Sequence, residues 1–429
     1  MKIVTILIII IVGADMLALE IIYKILKIGR RNIVNAYTLK AYLRLSLIMS
    51  VMLISASTAV ADAFTLPEKS RFNRDASAVF SGGQTRTYYI AAEEVHWDYS
   101  PGYPINEITG LPFTEDQKVF VEGNGTTRIG HVYKKAQFVE YEDASFSVKK
   151  PRPPEWQHLG ILGPAILANV GDTIEVVFKN NTGNPASMHP HGVFYNKDSE
   201  GALYEDGTSG DDKADDAVPP GGIHTYIWEV PKRAGPTAWS RNPVIWLYHS
   251  HVDENGRLDE SHSTNAGLLG PIIISKRGWR RADGSLRGFS REFIMVFTVF
   301  DENTSYFLDD NIATYAPNAS PSDEDFHESN LMHSINGYVY GKIPGLTMKK
   351  GEKVRWYTIA LGTEVDLHTP HWHGHTLDWD RKRVDVVNLL PATQRAMDMR
   401  PDNPGTWLYH CHVNDHFDAG MVTTYTVEP

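Results

Sequence analysis

The chain has 429 residues, of which 42% are hydrophobic and 22% charged, and its formal net charge is −11 at pH 7. This length is enough for two domains with buried cores, and the composition is that of an ordinary globular protein. The negative charge argues against a nucleic-acid partner, because phosphate backbones bind basic surfaces. With Cys411 as the single cysteine, an intrachain disulfide is excluded.

The first 63 residues have the pattern of an export segment. An aliphatic run covers residues 3–12, and a second apolar run at residues 45–54 follows basic residues and precedes small ones. A basic flank, a short apolar centre and a small-residue end predict a signal peptide cleaved after Ala61 or Ala63. Residues 3–23 are either a membrane anchor or the product of a start placed too far upstream, the interpretation we prefer. In both cases the mature protein is expected outside the cytoplasm, periplasmic or secreted, with or without an anchor.

From about residue 84 onward, short apolar or alternating runs recur between clusters of Gly, Pro and Asn. Such runs predict β-strands joined by turns, at residues 88–92, 173–178, 226–230 and 272–274. No long segment with a helical period stands out in this region. The pattern is typical of β-sandwiches and predicts an all-β fold.

The chain also repeats itself. The sequence WLYHSHV at residues 246–252 returns as WLYHCHV at residues 407–413, and an HxHG motif precedes each copy. A repeat of this kind predicts two copies of one domain. We place the two domains, after the N-terminal segment 1–63, at residues 84–280 and 288–429.

Four His-x-His pairs lie in the repeated motifs. In a β-strand, residues i and i+2 point to the same face, so each pair can aim two imidazoles at one place. Eight imidazoles exceed the about four ligands of a zinc site. They suit a cluster of several metals, and imidazole suits copper. The pairs are His189 and His191, His249 and His251, His371 and His373, and His410 and His412.

The residue inside the last pair differs between the two copies. It is Cys411 in the second and Ser250 in the first, so only the second domain can supply a thiolate. A cysteine with two histidines and a distant methionine forms a blue-copper site, and the candidate partners are His368, His416 and Met421. Because Cys411 is joined covalently to His410 and His412, an electron on a blue copper could pass directly to a cluster that reduces oxygen.

The motifs HTPHWHG at residues 368–374 and HCHVNDH at residues 410–416, continuing to Met421, resemble the ligand signature of the multicopper oxidases, and specifically their ceruloplasmin-like group. The resemblance implies two cupredoxin-like Greek-key β-sandwich domains and four coppers per chain. It implies type 1 copper at His368, Cys411, His416 and Met421, and type 2 copper at His189 and His371. It implies a type 3 copper pair at His191, His249, His251, His373, His410 and His412.

The resemblance also extends to assembly. The sequence is similar to two-domain oxidases in which only the second domain carries type 1 copper. That similarity implies a homotrimer, with each cluster formed between the first domain of one subunit and the second domain of the next.

The electron donor is implied by a further set of residues. Ceruloplasmin-like ferroxidases hold iron near type 1 copper, and Glu328, His333 and Asp415 match three of those ligands. Glu364 fits the position of the fourth, which comes from a neighbouring domain in that group. The resemblance thus implies oxidation of Fe(II) coupled to reduction of O2 to water.

Alternatives remain open for the donor and for the class of protein. A laccase-like oxidase would take phenols or aromatic amines as small organic reductants and would need an apolar pocket beside the type 1 copper. A copper nitrite reductase is a weaker alternative, because that class lacks the type 3 copper pair, whose six histidines are all present here. A non-enzymatic copper-binding protein would be expected to lack some of the ligands. The four iron-site residues could also be solvated surface groups.

An acidic loop at residues 211–216 carries Asp211, Asp212, Asp215 and Asp216. We interpret it as solvated, and calcium binding is the alternative, because calcium takes oxygen ligands.

Overall fold

The computed structural model describes residues 83–237, 240, 243–363 and 366–429. The predicted export segment and Glu364 lie outside these described residues. Among the helices that are described, none combines the length and the apolar character that crossing a bilayer requires.

The first half of the described chain forms two four-stranded sheets and a two-stranded hairpin. Its strands are β1 (Thr85–Asp98), β2 (Ile105–Asn106), β3 (Leu111–Pro112), β4 (Val132–Tyr141), β5 (Ile166–Asn169), β6 (Thr173–Asn180), β7 (His189–Pro190), β8 (Ile223–Glu229), β9 (Val244–His249) and β10 (Leu269–Ser275). The sheets have the orders β4-β1-β6-β8 and β5-β10-β9-β7, and β2 pairs with β3. Helices α1 (Glu115–Val121) and α2 (Ser261–Ala266) connect strands.

The second half forms a six-stranded and a four-stranded sheet. Its strands are β11 (Arg291–Asp301), β12 (Leu331–Ile335), β13 (Thr347–Lys349), β14 (Val354–Ala360), β15 (Pro370–Trp372), β16 (Leu377–Trp379), β17 (Lys382–Val384), β18 (Gln394–Met399), β19 (Gly405–Cys411) and β20 (Val422–Glu428). The orders are β12-β11-β14-β18-β16-β17 and β13-β20-β19-β15. The helices are α3 (Leu308–Tyr315), α4 (Glu324–Ser329) and α5 (Asn414–Asp418).

The sequence repeat is visible in the strand pairing. In each half the first long strand pairs in parallel with the last strand before the HxHG motif: β1 pairs with β6, and β11 pairs with β14. The strand that ends in the His-x-His motif then pairs with the last strand, β9 with β10 and β19 with β20. Burial alternates along β6, where Ile174, Val176 and Phe178 are buried. Every second side chain of a strand faces the same side, so the alternating apolar runs of the sequence form strands with one face in the core. The all-β prediction is confirmed.

The two halves share one hydrophobic core, which includes Tyr99 and Leu247 from the first and Ile294 and Tyr357 from the second. A fully buried ion pair joins Lys135 of β4 to Glu302, the residue after β11. Removing one partner of such a pair leaves a buried charge and typically costs about 3–5 kcal/mol. The shared core and this ion pair fix the two sandwiches against each other, so the positions of their metal-ligating residues within one chain are also fixed.

His158 is a buried contact between the halves. Its Nε2 accepts the backbone N–H of Ile294 at 3.0 Å, which requires a neutral imidazole. Burial, and then the charge of Arg152, lowers the pKa of His158 to about 3. Protonation of His158 in the folded protein is therefore unfavourable over the pH range in which an unfolded histidine gains its proton.

The stability of the chain is accordingly expected to fall with pH through His158. Its folded pKa lies below the unfolded value, so between about pH 6.5 and pH 3 the unfolded state binds an extra proton, which costs about 2 kcal/mol by about pH 5. In the variant His158→Gln, whose amide oxygen can also accept the N–H, this loss is absent. Chemical unfolding of both proteins at neutral pH and at about pH 5 measures it. If the difference in unfolding free energy between the wild type and His158→Gln is the same at both pH values, the loss of stability cannot be assigned to His158.

Candidate metal centre

A buried group of sulfur and nitrogen donors lies at the end of β19. The Sγ of Cys411 is 3.9 Å from Nδ1 of His368 and 3.7 Å from Nδ1 of His416, and the two nitrogens are 3.1 Å apart. All three residues are buried, and Met421 is fully buried in the same core. The backbone of Met421 accepts the N–H of Cys411 at 3.0 Å and donates to His416 at 2.9 Å. His416 lies in the short helix α5.

The surroundings of Cys411 favour its thiolate. Burial raises the pKa of Cys411, but hydrogen bonds from His368, His416 and the N–H of Thr369 outweigh burial and bring it to about 6. The carboxylate of Asp366 lies 3.3 Å from Nε2 of His368 and so orients the ring with Nδ1 towards the sulfur. A thiolate with two oriented imidazoles and a nearby methionine is the donor set of a blue-copper site.

A second group consists of the other histidines of the C-terminal motifs. Nε2 of His410 lies 3.1 Å from Nδ1 of His371 and 3.0 Å from Nε2 of His373. The ring of His412 is 5.6 Å from that of His410, and the residue is exposed. Three ring nitrogens at these distances can share a cation, because the nitrogens of neutral imidazoles are metal ligands.

The corresponding group in the first half has the same construction. Nε2 of His191 and Nε2 of His249 lie 3.1 Å apart, and the rings of His189 and His251 are 5.3 Å apart. Nδ1 of His249 lies 3.0 Å from the Ser250 carbonyl, as Nδ1 of His410 lies 2.7 Å from that of Cys411. In both halves this contact points Nε2 into the group. Burial, followed by the neighbouring imidazoles, lowers the pKa of His249 to about 3, and neutral imidazole is the form that binds metal.

The His-x-His pairs do not each lie on one strand, as the i, i+2 argument expected. Strands β7, β9, β15 and β19 end at or before the residue between the two histidines, and the second histidine lies beyond the sheet. The rings still come within 4.5–5.6 Å of each other in every pair. Gly192, with φ of 77°, ends one HxHG motif, and a Cβ there would lie 2.3 Å from the Trp246 ring. The motif therefore needs glycine to turn the chain away from the pair.

The two groups of four histidines remain separate within one chain. Among the described residues, no ring contact and no hydrogen bond joins His189, His191, His249 or His251 to His371, His373, His410 or His412. A cavity of about 460 Å³ lies against the second group and is bordered by Asp385 and Asp402. The second group thus presents nitrogen donors towards an open cavity.

Of the predicted iron-site residues, the structure brings two together beside the Cys411 group. The buried ring of His333 on β12 lies 5.3 Å from that of His416, and its Nδ1 is 3.0 Å from the Leu331 carbonyl. Burial and His416 lower the pKa of His333 to about 4, against the opposing charge of the exposed Asp415. Glu328 is exposed at the end of α4, and within the described chain its carboxylate forms no hydrogen bond or ion pair with the other two.

Comparison with known proteins identifies the family. A family model described as "Multicopper oxidase" matches residues 156–278, and another with the same description matches residues 314–429. Together the two matches cover more than half of the chain. The chain belongs to the multicopper oxidase family.

Curated relatives of this multicopper oxidase are much longer proteins. Ferroxidase HEPHL1 of Homo sapiens is 44% identical over 353 residues, covering 81% of this chain and 30% of the relative. Hephaestin of Homo sapiens is 42% identical over 355 residues, covering 81% and 30%. Ceruloplasmin of Homo sapiens is 44% identical over 359 residues, covering 81% and 33%. The chain therefore spans about a third of the length of these relatives.

Two of the solved structures that this chain matches are described as multicopper oxidases. One covers 80% of this chain and 89% of its own, with a TM-score of 0.48 and 17% identity. The multicopper oxidase mgLAC covers 80% of this chain and 86% of its own, with a TM-score of 0.49 and 20% identity.

The acidic loop of this multicopper oxidase does not form one cluster. Asp211 and Asp212 are exposed on a 3₁₀ helix, whereas Asp215 and Asp216 are buried. Asp215 accepts the N–H of Gly201 at 2.7 Å through one oxygen, and its other oxygen is buried without a hydrogen-bond partner. Burial raises the pKa of Asp215 to about 6.

Sequence reasoning missed several groups that contact the histidines. Asp366 orients His368, the carbonyl of Glu200 lies 2.7 Å from Nδ1 of His189, and the carboxylate of Glu260 lies 2.9 Å from Nε2 of His251. A carboxylate two residues before His368 was a local signal. The other two contacts depend on how distant turns fold.

Proposed function

We propose that this multicopper oxidase couples one-electron oxidation of Fe(II) to four-electron reduction of O2 to water. The observation that carries the proposal is the position of Cys411. Its side chain belongs to the buried sulfur–nitrogen group, while its chain neighbours His410 and His412 belong to the second histidine group. One short covalent path therefore connects a site for electron entry with a site for oxygen reduction.

Each donor group has a distinct role in this proposal. Copper, when bound, supplies the one-electron redox chemistry and the binding of oxygen. His368, Cys411, His416 and Met421 hold the type 1 ion in a buried site that excludes water. His189 and His371 hold the type 2 ion, and the type 3 pair is held by His191, His249, His251, His373, His410 and His412. The carbonyls of Ser250 and Cys411 keep two of these rings in orientation.

We infer that the complete cluster forms between subunits of a homotrimer. The two histidine groups are each half of the ligand set and are not in contact within one chain, whose halves are fixed by a shared core. His412, a proposed ligand, is exposed in the single chain. A head-to-tail interface repeated around a threefold axis closes a ring and completes one cluster at each contact.

The iron site is proposed beside the type 1 group. His333 and Asp415 lie next to His416, which places a bound Fe(II) close to the electron acceptor. Glu328, one turn before β12, would complete the site by a change of side-chain rotamer, together with Glu364 of a neighbouring subunit. Oxygen ligands favour Fe(III) over Fe(II) and so assist loss of the electron. One of the relatives is named a ferroxidase.

A laccase-like activity is the second candidate, because apolar surface lies beside the type 1 group. Leu367, next to His368, is 49% exposed, and Leu390 is 54% exposed. A bridge between His368 and Leu389 brings these two leucines near each other. Such a surface could accept the ring of a phenol or an aromatic amine.

Substitution of Glu328 separates the two activities. Glu328→Ala is expected to lower kcat/KM for Fe(II) by about tenfold or more, a loss of at least about 1.4 kcal/mol, because one charged ligand is removed. Steady-state oxidation of Fe(II) and of a phenolic dye measures the effect. Glu324→Ala, an exposed glutamate on the same helix, is the matched control and should leave both rates unchanged. Equal rates on iron in the variant and wild type would sink the ferroxidase proposal.

Further features are proposed on the same basis. The mature chain lies outside the cytoplasm, as the N-terminal pattern indicates, and residues 84–280 and 288–429 are its two domains. The acidic loop is a candidate calcium-binding site, since the oxygen of Asp215 that has no hydrogen-bond partner is a suitable ligand for calcium.

A further inference from the structure

A third group of metal-ligating side chains shares no residue with the proposed copper and iron sites. Asp253, Glu254 and His262 each offer one donor atom, and these atoms all lie within 4.8 Å of one another. The group lies on the segment that joins β9 to α2. We propose that it binds one divalent first-row transition-metal ion.

The loop fixes Asp253 in a position to bind. Its Oδ1 accepts the backbone N–H groups of Asn255 at 2.9 Å and Arg257 at 2.7 Å, and its own N–H donates to the Arg257 carbonyl. The residue is only 8% exposed. Within the described chain its second oxygen accepts no hydrogen bond, so the carboxylate is held in place with one oxygen available.

His262 reaches the same point from helix α2. Its backbone N–H donates to Asp259 at 2.6 Å, and its Nδ1 lies 2.9 Å from Oε2 of Glu254. Two ligands at about 2.1 Å from a zinc-sized ion lie roughly 3.0–3.4 Å apart. The spacing of His262 and Glu254 is thus close to that of neighbouring ligands, and a small movement would bring in Asp253.

The charge of the group is unbalanced without a cation. In the part of the chain that the structure describes, neither Asp253 nor Glu254 forms an ion pair with a lysine or arginine. Burial lowers the pKa of His262, but Glu254, Asp259 and Asp253 outweigh burial and raise it. One imidazolium cannot neutralise both Asp253 and Glu254, whereas a divalent ion can.

The chemistry of the donors selects the class of ion. Calcium and magnesium take oxygen ligands, whereas one imidazole with two carboxylates suits zinc, manganese or ferrous iron. The repeat strengthens the inference, because His251 to Glu254 (HVDE) corresponds to His412 to Asp415 (HVND). In both halves a carboxylate therefore follows the cluster histidines at the same position.

Titration of the copper-loaded full chain with Zn(II) and Co(II) tests the site. Calorimetry should show an equivalent that His262→Ala and Glu254→Gln each weaken by about tenfold or more, since each removes a ligand, whereas binding at the proposed iron site should not change. The Co(II) absorption bands should weaken in parallel. His96→Ala, the same change at an exposed histidine on β1, should bind like the wild type.

The copper content and O2 consumption of the same preparations keep this test separate from the proposed oxidase function. Both are expected to match the wild type in His262→Ala. Unchanged Zn(II) and Co(II) binding in His262→Ala and Glu254→Gln would overturn the site. A loss of copper in His262→Ala would also overturn it, because the residue would then be supporting the histidine cluster instead.

Discussion

Cys411→Ser is expected to abolish the intense blue absorption and to lower O2 consumption by about a thousandfold or more, as removal of a catalytic group does. A serine hydroxyl is not ionised at neutral pH and cannot replace the thiolate that the rings of His368 and His416 stabilise. The variant should lose one copper per chain and keep the others. Absorption spectra, metal analysis and oxygen-electrode rates measure these changes.

The substitution is a conservative one, so a fold defect is not expected. Serine already stands at the corresponding position of the first repeat, at Ser250, where it is fully buried. Thermal unfolding of the metal-free variant should therefore match that of the metal-free wild type. Wild-type oxygen consumption in Cys411→Ser would show that electrons do not enter through this residue.

Two inactive variants are expected to restore activity when they are produced together. His251→Ala removes a ligand from the first histidine group, and His373→Ala removes one from the second. Each variant alone should lack a complete cluster. In a mixed trimer one of the three interfaces joins an intact first domain of one chain to an intact second domain of the other, so about a third of wild-type activity should return.

Coexpression of two differently tagged chains, with purification through both tags, gives the mixed assembly. A matched control carries His251→Ala in both tagged chains and should stay inactive. No recovery in the mixed assembly would place all eight histidines in one chain and contradict the intersubunit cluster.

The sequence was informative where chemistry depends on short spacing. The repeated WLYH and HxHG motifs identified the eight histidines that the structure brings together in two groups, because a strand end and a tight turn keep neighbouring side chains close. Gly192 shows the limit of that reasoning, since its role depends on the Trp246 ring against which it packs. The i, i+2 rule led to the correct pairs, although the second histidine of each lies beyond the strand.

Features that depend on distant segments were not predictable from spacing. Asp366 acts on His368 because its carboxylate is held by the N–H groups of Val299 and Thr363. The helix that carries His416 has five residues, which are too few to show a helical period in the sequence. Glu328 matches a motif but points into solvent, and motif matching does not determine a rotamer.

Copper content, measured together with absorption and electron paramagnetic resonance, tests the central claim most directly. We expect four coppers per chain, an intense blue band, a near-ultraviolet shoulder from the coupled pair, and a resonance signal from only half of the copper. One copper per chain, with all of it visible by resonance, would contradict the three-copper cluster that the histidine groups are proposed to hold.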